Sequence, residues 1–304
     1  MSPYYQASNK MPLGGVVLLL LGGTVAALAL AFVYIYAIWY IPFVYINFLL
    51  CIGFGLMLGY GLARLVRAGK LRSPSGVGLL AGAVGLVAVY LEWGVYLTLL
   101  FGTEADGPGP NADTTTSFSP SVFAALLAQP SQMWEAIRQL NQTGSWSLKG
   151  ATPSGIFLAA IWLLEALILI GGVYLVARAQ AEEPFSEAAN TWADEETLAH
   201  PVGFAHDAAS LRTQLESGQF HALTPHITTA AEEQFSLLKL HSVADDDSCR
   251  YLTLENVTKT LDKKGKPTQS TATVVQRLAI SSATYHELKK RFGQPPAASR
   301  SAEE

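Results

Sequence analysis

Only two cysteines stand in 304 residues. Cys51 lies inside an apolar run and Cys249 lies in the polar C-terminal half. Neither has a companion on its own side, so a disulfide framework is excluded, and no CxxC exists to hold zinc. Charge is also scarce, at 14% of residues, and its balance is a net −4. A nucleic-acid binder needs a clear basic face, so nucleic acid is excluded as a partner. The signatures of common chemistries are missing too. There is no HExxH, no GxSxG, no Walker loop and no Rossmann fingerprint. The six histidines, His200, His206, His221, His226, His241 and His286, form no tight ligand set. Asp245-Asp246-Asp247 lacks the spacing of a calcium loop and reads as a turn between strands. Cys249 has no visible activating base and reads as a packed strand residue. No catalytic residue, metal or cofactor is expected, and the chain leans away from being an enzyme.

What is present is long apolar sequence. Four runs pass the length test of about 20 apolar residues for a bilayer crossing. They are Leu13–Ile41, Phe43–Ala63, Val77–Phe101 and Ile156–Ala177. The charges gather after residue 178. The expected fold class is an integral membrane protein with four transmembrane α-helices, in two hairpins, plus a small soluble α+β domain with a β-hairpin. The lipid bilayer is then one partner, and self-association into a homo-oligomer is a second. Pro42 divides the first two runs, with Trp39, Tyr40 and Tyr45 as an aromatic belt beside it. The first run is far longer than a signal-peptide core and no polar mature start follows it, so an uncleaved helix is expected.

Orientation follows from the loops. Arg64, Arg67, Lys70 and Arg72 crowd the short link between the second and third runs, and no acid accompanies them. The long link, 102–155, carries Glu104, Asp106, Asp113 and Glu135 against Arg138 and Lys149. The positive-inside rule places the short link, both termini and the tail in the cytoplasm, with the chain in a plasma (inner) membrane of bacterial type. The long link should hold two short helices, Pro120–Ala128 and Ser131–Leu140, split by Pro130 and lying on the outer face or capping the bundle. Its Asn141-Gln142-Thr143 matches a glycosylation sequon, a weak three-residue signal.

Two acids stand inside the apolar runs. Glu92 is nine residues before Phe101, and Glu165 is nine residues after Ile156. Both lie about 13–14 Å from the outer helix ends at 1.5 Å per residue, near the middle of a ~30 Å core. Tyr34, Tyr36, Asn47, Tyr90 and Tyr96 are the other polar groups at or above that depth. A tryptophan accompanies each acid, at Trp93 and Trp162. Intramembrane carboxylates are costly and mark ion or proton sites. Polar groups also join helices without carrying anything, so interhelical glue and a head-group site stand beside the ion or proton site. Gly55-x-x-x-Gly59 and Gly78-x-x-x-Gly82 have the spacing of close helix contacts.

Beyond residue 178, six acids fall between Glu182 and Glu196 with no base. This 178–203 stretch reads as an acidic linker, with docking on Arg64, Arg67, Lys70 and Arg72 as a further expectation. The soluble domain is expected over 204–293, followed by a disordered tail. Phe204, Ala208, Leu211 and Leu215 have helical spacing. Phe235–Val243, Arg250–Leu261 and Thr268–Ile280 read as strands, the last two joined by an Asp262–Lys266 hairpin loop. Thr284-x-x-Glu287 has capping-box spacing for a final helix ending near Phe292. Lys263, Lys264 and Lys266 at the hairpin tip, and Lys289, Lys290 and Arg291, read as solvated surface. Two function classes follow: a membrane-anchored interaction or regulatory protein with a cytoplasmic protein partner, or a proton- or cation-coupled transport component using Glu92 and Glu165.

Overall fold

The computed structural model describes residues 3–41, 43–105, 114–144, 152–225, 234–261 and 266–293. Pro42, Asp106 and Asp113, Trp146, Lys149, His226, the loop 262–265 and the tail 294–304 lie outside the described residues. The chain divides into two units, Ser8–Glu182 and a second made of Met1–Ala7 with Glu183–Glu304.

The first unit holds four long helices: α1 (Leu13–Tyr40), α2 (Val44–Ala68), α3 (Pro74–Phe101) and, after the outer loop, a fourth over Gly155–Ala181. All four are long and apolar enough to cross a membrane. They are apolar on every side, as a helix must be when its outward face also meets an apolar medium. Leu21, Val25, Leu79, Leu86, Leu163 and Leu175 accordingly point outward, while Leu19, Ala27, Leu58, Leu62, Val84 and Val173 fill the centre. Two helices run further than the apolar runs indicate. Charge ends the apolar run, but it does not end the backbone hydrogen bonding. Arg64 and Arg67 therefore ride on the last turns of α2, and Arg178 on the last turn of the fourth long helix. What remains of the basic link is a tight turn over residues 69–73. Lys70 takes φ 52° there, and Arg72 is buried with its backbone paired to Asn9 and Lys10.

The link between α3 and the last long helix contributes a short β-hairpin, β1 (Thr103–Ala105) with β2 (Thr114–Thr116), then α4 (Pro120–Ala128) and α5 (Pro130–Thr143). The final long helix, Gly155–Ala181, is thus α6. Ser119 caps α4 through Val122 N. The expected cap Ser131 lies inside α5, because Pro130 starts that helix instead of only separating two. Proline at a first helical position lacks only an N–H that is unsatisfied there anyway. Phe118, Phe123 and Leu127 pack against α1 and α3. Met133, Ala136 and Ile137 of α5 pack near Leu97. Trp134 points away at 67% exposure.

α1 packs on α2 and α3, and α6 packs on the same two, so the four close into a ring in the order α1–α2–α6–α3. Glycine sets the spacing. A Cβ on Gly55 would stand 3.2 Å from Leu169 Cα, and one on Gly59 would stand 3.0 Å from Val176 Cβ. On α3, Gly78 lies under the Tyr174 ring, and a Cβ on Gly85 would stand 3.2 Å from Ile170 Cα. α6 therefore lies against small residues of both neighbours.

The second unit is an α+β domain. Its main sheet is four-stranded and antiparallel, in the order β5 (Asp194–Thr197), β6 (Gln234–Val243), β7 (Asp246–Leu261) and β8 (Pro267–Ala279). A small hairpin, β3 (Phe185–Ser186) with β4 (Thr191–Trp192), precedes it. The stretch expected as an acidic linker is therefore part of the domain, because its alternating residues pair with β6 as an edge strand. Its acids are engaged there: Glu183 with Arg277 at 2.6 Å, Glu195 with Lys239 at 3.4 Å and Glu196 with Lys289 at 2.6 Å. Glu182, the last residue of the first unit, pairs with Arg178.

Helices α7 (Ala208–Glu216) and α8 (Ser282–Phe292) complete the domain, with Leu215, Leu238, Leu252, Leu254, Leu278, Leu288 and Phe292 among its core. Phe204 stands outside α7, whose cap is Asp207. Ser281, not Thr284, caps α8 by accepting from Thr284 N. Residues near the chain's start join in. Ala279 N donates to Pro3 O at 2.8 Å and Tyr5 N to Arg277 O at 2.9 Å, which adds a short strand beside β8. The N-terminus is therefore not a separate segment.

Replacing Gly59 by Leu is expected to lower bundle stability by about 1–3 kcal/mol through overpacking against α6. Gly61, with nothing within 4 Å of its Cβ position, serves as the control. Thermal unfolding in detergent checks both, and equal effects at the two positions would contradict the packing argument.

Candidate functional site

The ring of helices brings one side chain from each long helix toward a common layer. Glu92 on α3 and Glu165 on α6 lie within electrostatic range of each other. Tyr34 on α1 and Cys51 on α2 lie within range of both carboxylates. Cys51 Sγ donates to the Glu165 backbone oxygen at 3.3 Å. That bond ties α2 to α6 one turn above the Gly55 contact. Trp93 and Trp162 meet edge to face with centroids 4.9 Å apart, an arrangement favoured by the ring quadrupole. The tryptophans thus pin α3 to α6 beside the two acids. Tyr34 lies against Phe54 with ring centroids 5.4 Å apart.

Oε2 of Glu92 is buried and has no hydrogen-bond partner. The glycine approaches, the tryptophan pair and the Cys51 bond each join α6 to a neighbouring helix. A buried polar group without a partner costs about 1–3 kcal/mol. The acids are a cost that the fold carries.

Four of the expected neighbours lie elsewhere. Asn47 serves the α1–α2 turn: its amide nitrogen reaches Ile41 O at 3.3 Å and Phe43 O at 3.2 Å. Its place near a helix start makes local backbone a closer partner than a distant helix. Tyr90 donates to Leu127 O at 2.8 Å and so anchors α4 to α3. Tyr36 packs between Phe32 and Tyr40. Tyr96 packs between Trp39 and Trp93, both at 5.8 Å. Depth counting from one helix end could not separate these from Tyr34, because it ignores which face each residue occupies.

The depth itself also shifts. α3 has 28 residues, about 42 Å, which exceeds a ~30 Å core. Glu92 is fifteen residues from Val77, about 22 Å, and only about 13–14 Å from Phe101. With Trp93 and Trp162 beside it, the layer lies nearer the Phe101 end of α3 than its Pro74 end. Cys51 was absent from the expected set. Its sequence signal was available: Cys51 lies one helical turn from Gly55, on the face that meets α6.

The soluble domain shows no comparable gathering of acids in its core. Among the described residues no group of three His, Cys, Asp or Glu side chains is placed to hold a metal ion. Burial pushes the Cys249 thiol up to about 11, so it stays protonated and unreactive near neutrality. Asp246 accepts from Ser186 at 2.5 Å and from Ser248, and these bonds hold its carboxyl below the usual range. The three-aspartate stretch thus shapes the β6–β7 turn.

Exchanging Glu92 for Leu is expected to raise bundle stability by about 1–3 kcal/mol, since it removes an unsatisfied buried oxygen. Thermal unfolding of the purified protein checks the sign, and a loss of similar size would restore the glue reading. Comparison with known proteins adds no name to this arrangement: no family model, no curated protein and no solved structure matches the chain.

Proposed function

We propose that this is a membrane-anchored interaction or regulatory protein, whose soluble domain engages a protein partner on the side of the membrane that carries both chain ends. The observation that supports this most is the outer half of the β7–β8 hairpin. Lys259, Thr260 and every residue from Lys266 to Thr273 are exposed, and β8 is the last strand of its sheet along that stretch. An exposed strand edge of this kind, with no charge between Pro267 and Gln276, pairs with an extended segment of another chain. The same edge already accepts Pro3–Tyr5 further along. By the positive-inside rule applied to Arg64, Arg67, Lys70 and Arg72, the domain faces the cytoplasm of a cell whose inner or plasma membrane holds the four helices.

A second reading has its own support. Four helices converge on Tyr34, Cys51, Glu92 and Glu165, and one carboxyl oxygen there has no partner. A proton or a monovalent cation would satisfy that oxygen, which suits a proton- or cation-coupled component. The close glycine contacts favour proton exchange over a wide aqueous channel.

Two measurements separate the readings. A photocrosslinking residue at Thr271 in native membranes is expected to yield a defined adduct that Thr273→Pro in the same strand abolishes. No adduct at any position from Thr268 to Thr273 removes the first reading. Proton flux into liposomes holding the purified protein is expected to stay at background for wild type if the first reading holds. Flux that Glu92→Gln and Glu165→Gln both eliminate would establish the second.

A further inference from the structure

α4 lies alongside α3, below that helix's end. It starts next to the last residues of α3, where Ser117 N donates to Gly102 O at 2.9 Å. Its other end reaches further along. Tyr90 Oη donates to Leu127 O at 2.8 Å. Tyr90 is eleven residues before Phe101, about 16–17 Å along the axis. Between these points a Cβ on Gly94 would stand 2.9 Å from Leu127 Cδ2 and 3.0 Å from Phe123 Cε2. α5 then leads back. Met133, Ala136 and Ile137 pack near Leu97. Asn141 Nδ2 donates at 2.9 Å to the carbonyl of Gly155, the first residue of α6. The two short helices therefore form a hairpin on the flank of α3, with Gln129 at its turn.

The composition of this hairpin is unlike that of a water-facing one. No acid or base occurs from Thr114 to Trp134. Beyond Ser121, the exposed residues of α4 are Val122, Ala124, Ala125 and Ala128. Trp134 stands 67% exposed where the uncharged stretch ends. The first charges after it, Glu135 and Arg138, pair with each other at 3.0 Å. Gln129, Ser131 and Gln132 make the turn polar but uncharged. The backbone is arranged in the same sense. Helix ends leave N–H and C=O groups without partners, and away from water the protein must supply them. Each of the two helices starts with a proline, which removes one such donor. Ser119 supplies an acceptor to Val122 N, and Tyr90 supplies a donor to the Leu127 carbonyl near the end of α4.

α4 has nine residues, about 13–14 Å, and cannot cross a ~30 Å core. The part of α3 that it lies on carries Trp93 and Tyr96, and Tyr96 meets Trp39 of α1 with centroids 5.8 Å apart. Aromatic side chains of this kind collect where headgroups meet acyl chains. We propose that the α4–α5 hairpin is embedded in that boundary, in the leaflet at the Phe101 end of α3. Val122, Ala124, Ala125 and Ala128 rest on acyl chains, and Trp134 anchors the return helix at the headgroups. The partner of this surface is lipid, since a charge-free face on the flank of an apolar helix continues the surface that α3 itself presents to the bilayer. The proposal rests on the four long helices crossing a membrane.

Crosslinking from the lipid tests this. The full-length protein is placed in phosphatidylcholine nanodiscs that include a lipid with a photoactivatable diazirine high on one acyl chain. Adducts are expected on residues 120–134 as well as on the four long helices. Ala125→Asp combined with Ala128→Asp is expected to lower the yield on residues 120–134 several-fold and to leave the yield on the long helices unchanged. Both alanines are exposed, so packing against α3 is untouched. A second readout needs no variant. Trp134 is expected to be oxidised by hydroxyl radicals several-fold more slowly in nanodiscs than in its released peptide. Adducts confined to the four long helices overturn the proposal and leave the crossings standing, and so does equal oxidation of Trp134 in both settings. Adducts on none of the helices remove the crossings, and the proposal with them.

Discussion

The backbone of α6 lies against glycines of two other helices, and the arrangement of the bundle depends on that closeness. Gly55 and Gly59 admit it from α2, and Gly85 admits it from α3. In an apolar medium there is no hydrophobic force to gather apolar helices, so packing contacts of this kind decide which helices meet. With α6 placed, α1 fills the remaining corner against α2 and α3. The side chains that end in the central layer follow from the geometry. Cys51 comes from the α2 face that carries Gly55, Trp162 and Glu165 from α6, and Glu92 and Trp93 from α3. None of these groups needs affinity for the others to arrive there.

The soluble domain imposes a second constraint, one of connectivity. Its sheet uses residues from both ends of the chain, since Pro3–Tyr5 pairs with β8 and β5 begins soon after α6. The edge of β8 is thereby covered at Leu278 by residues far away in sequence.

Much of this was legible in the sequence, and the failures have physical causes. Long apolar runs mark helices well because an apolar medium leaves the backbone no other partner. They mark helix ends poorly, as Arg64, Arg67 and Arg178 illustrate, because helices continue into water. The strands β6, β7 and β8 and the final helix were readable from alternation and caps within a few residues. The acidic stretch was misread because charge was given more weight than pairing: Asp194–Thr197 is an edge strand whose acids find bases on β6 and α8. In the layer around Glu92, the shared level of the two acids was readable, and the direction of each side chain was not. Asn47 and Tyr90 have the right height and face other groups, whereas Cys51 went unnoticed because its own run is apolar.

Several buried side-chain atoms have no hydrogen-bond partner among the described residues, Oε2 of Glu92, Nε2 of Gln180, Nδ1 of His241 and Nε of Arg250 among them. Glu92 is the carboxylic acid in this set. Its neighbours Trp93 and Trp162 already join α3 to α6, and Cys51 already joins α2 to α6. Removing the carboxyl would leave those contacts intact. A costly group whose neighbours already make the helix contacts supports the second reading proposed above, chemistry at the carboxylate layer, more strongly than apolar burial or depth alone.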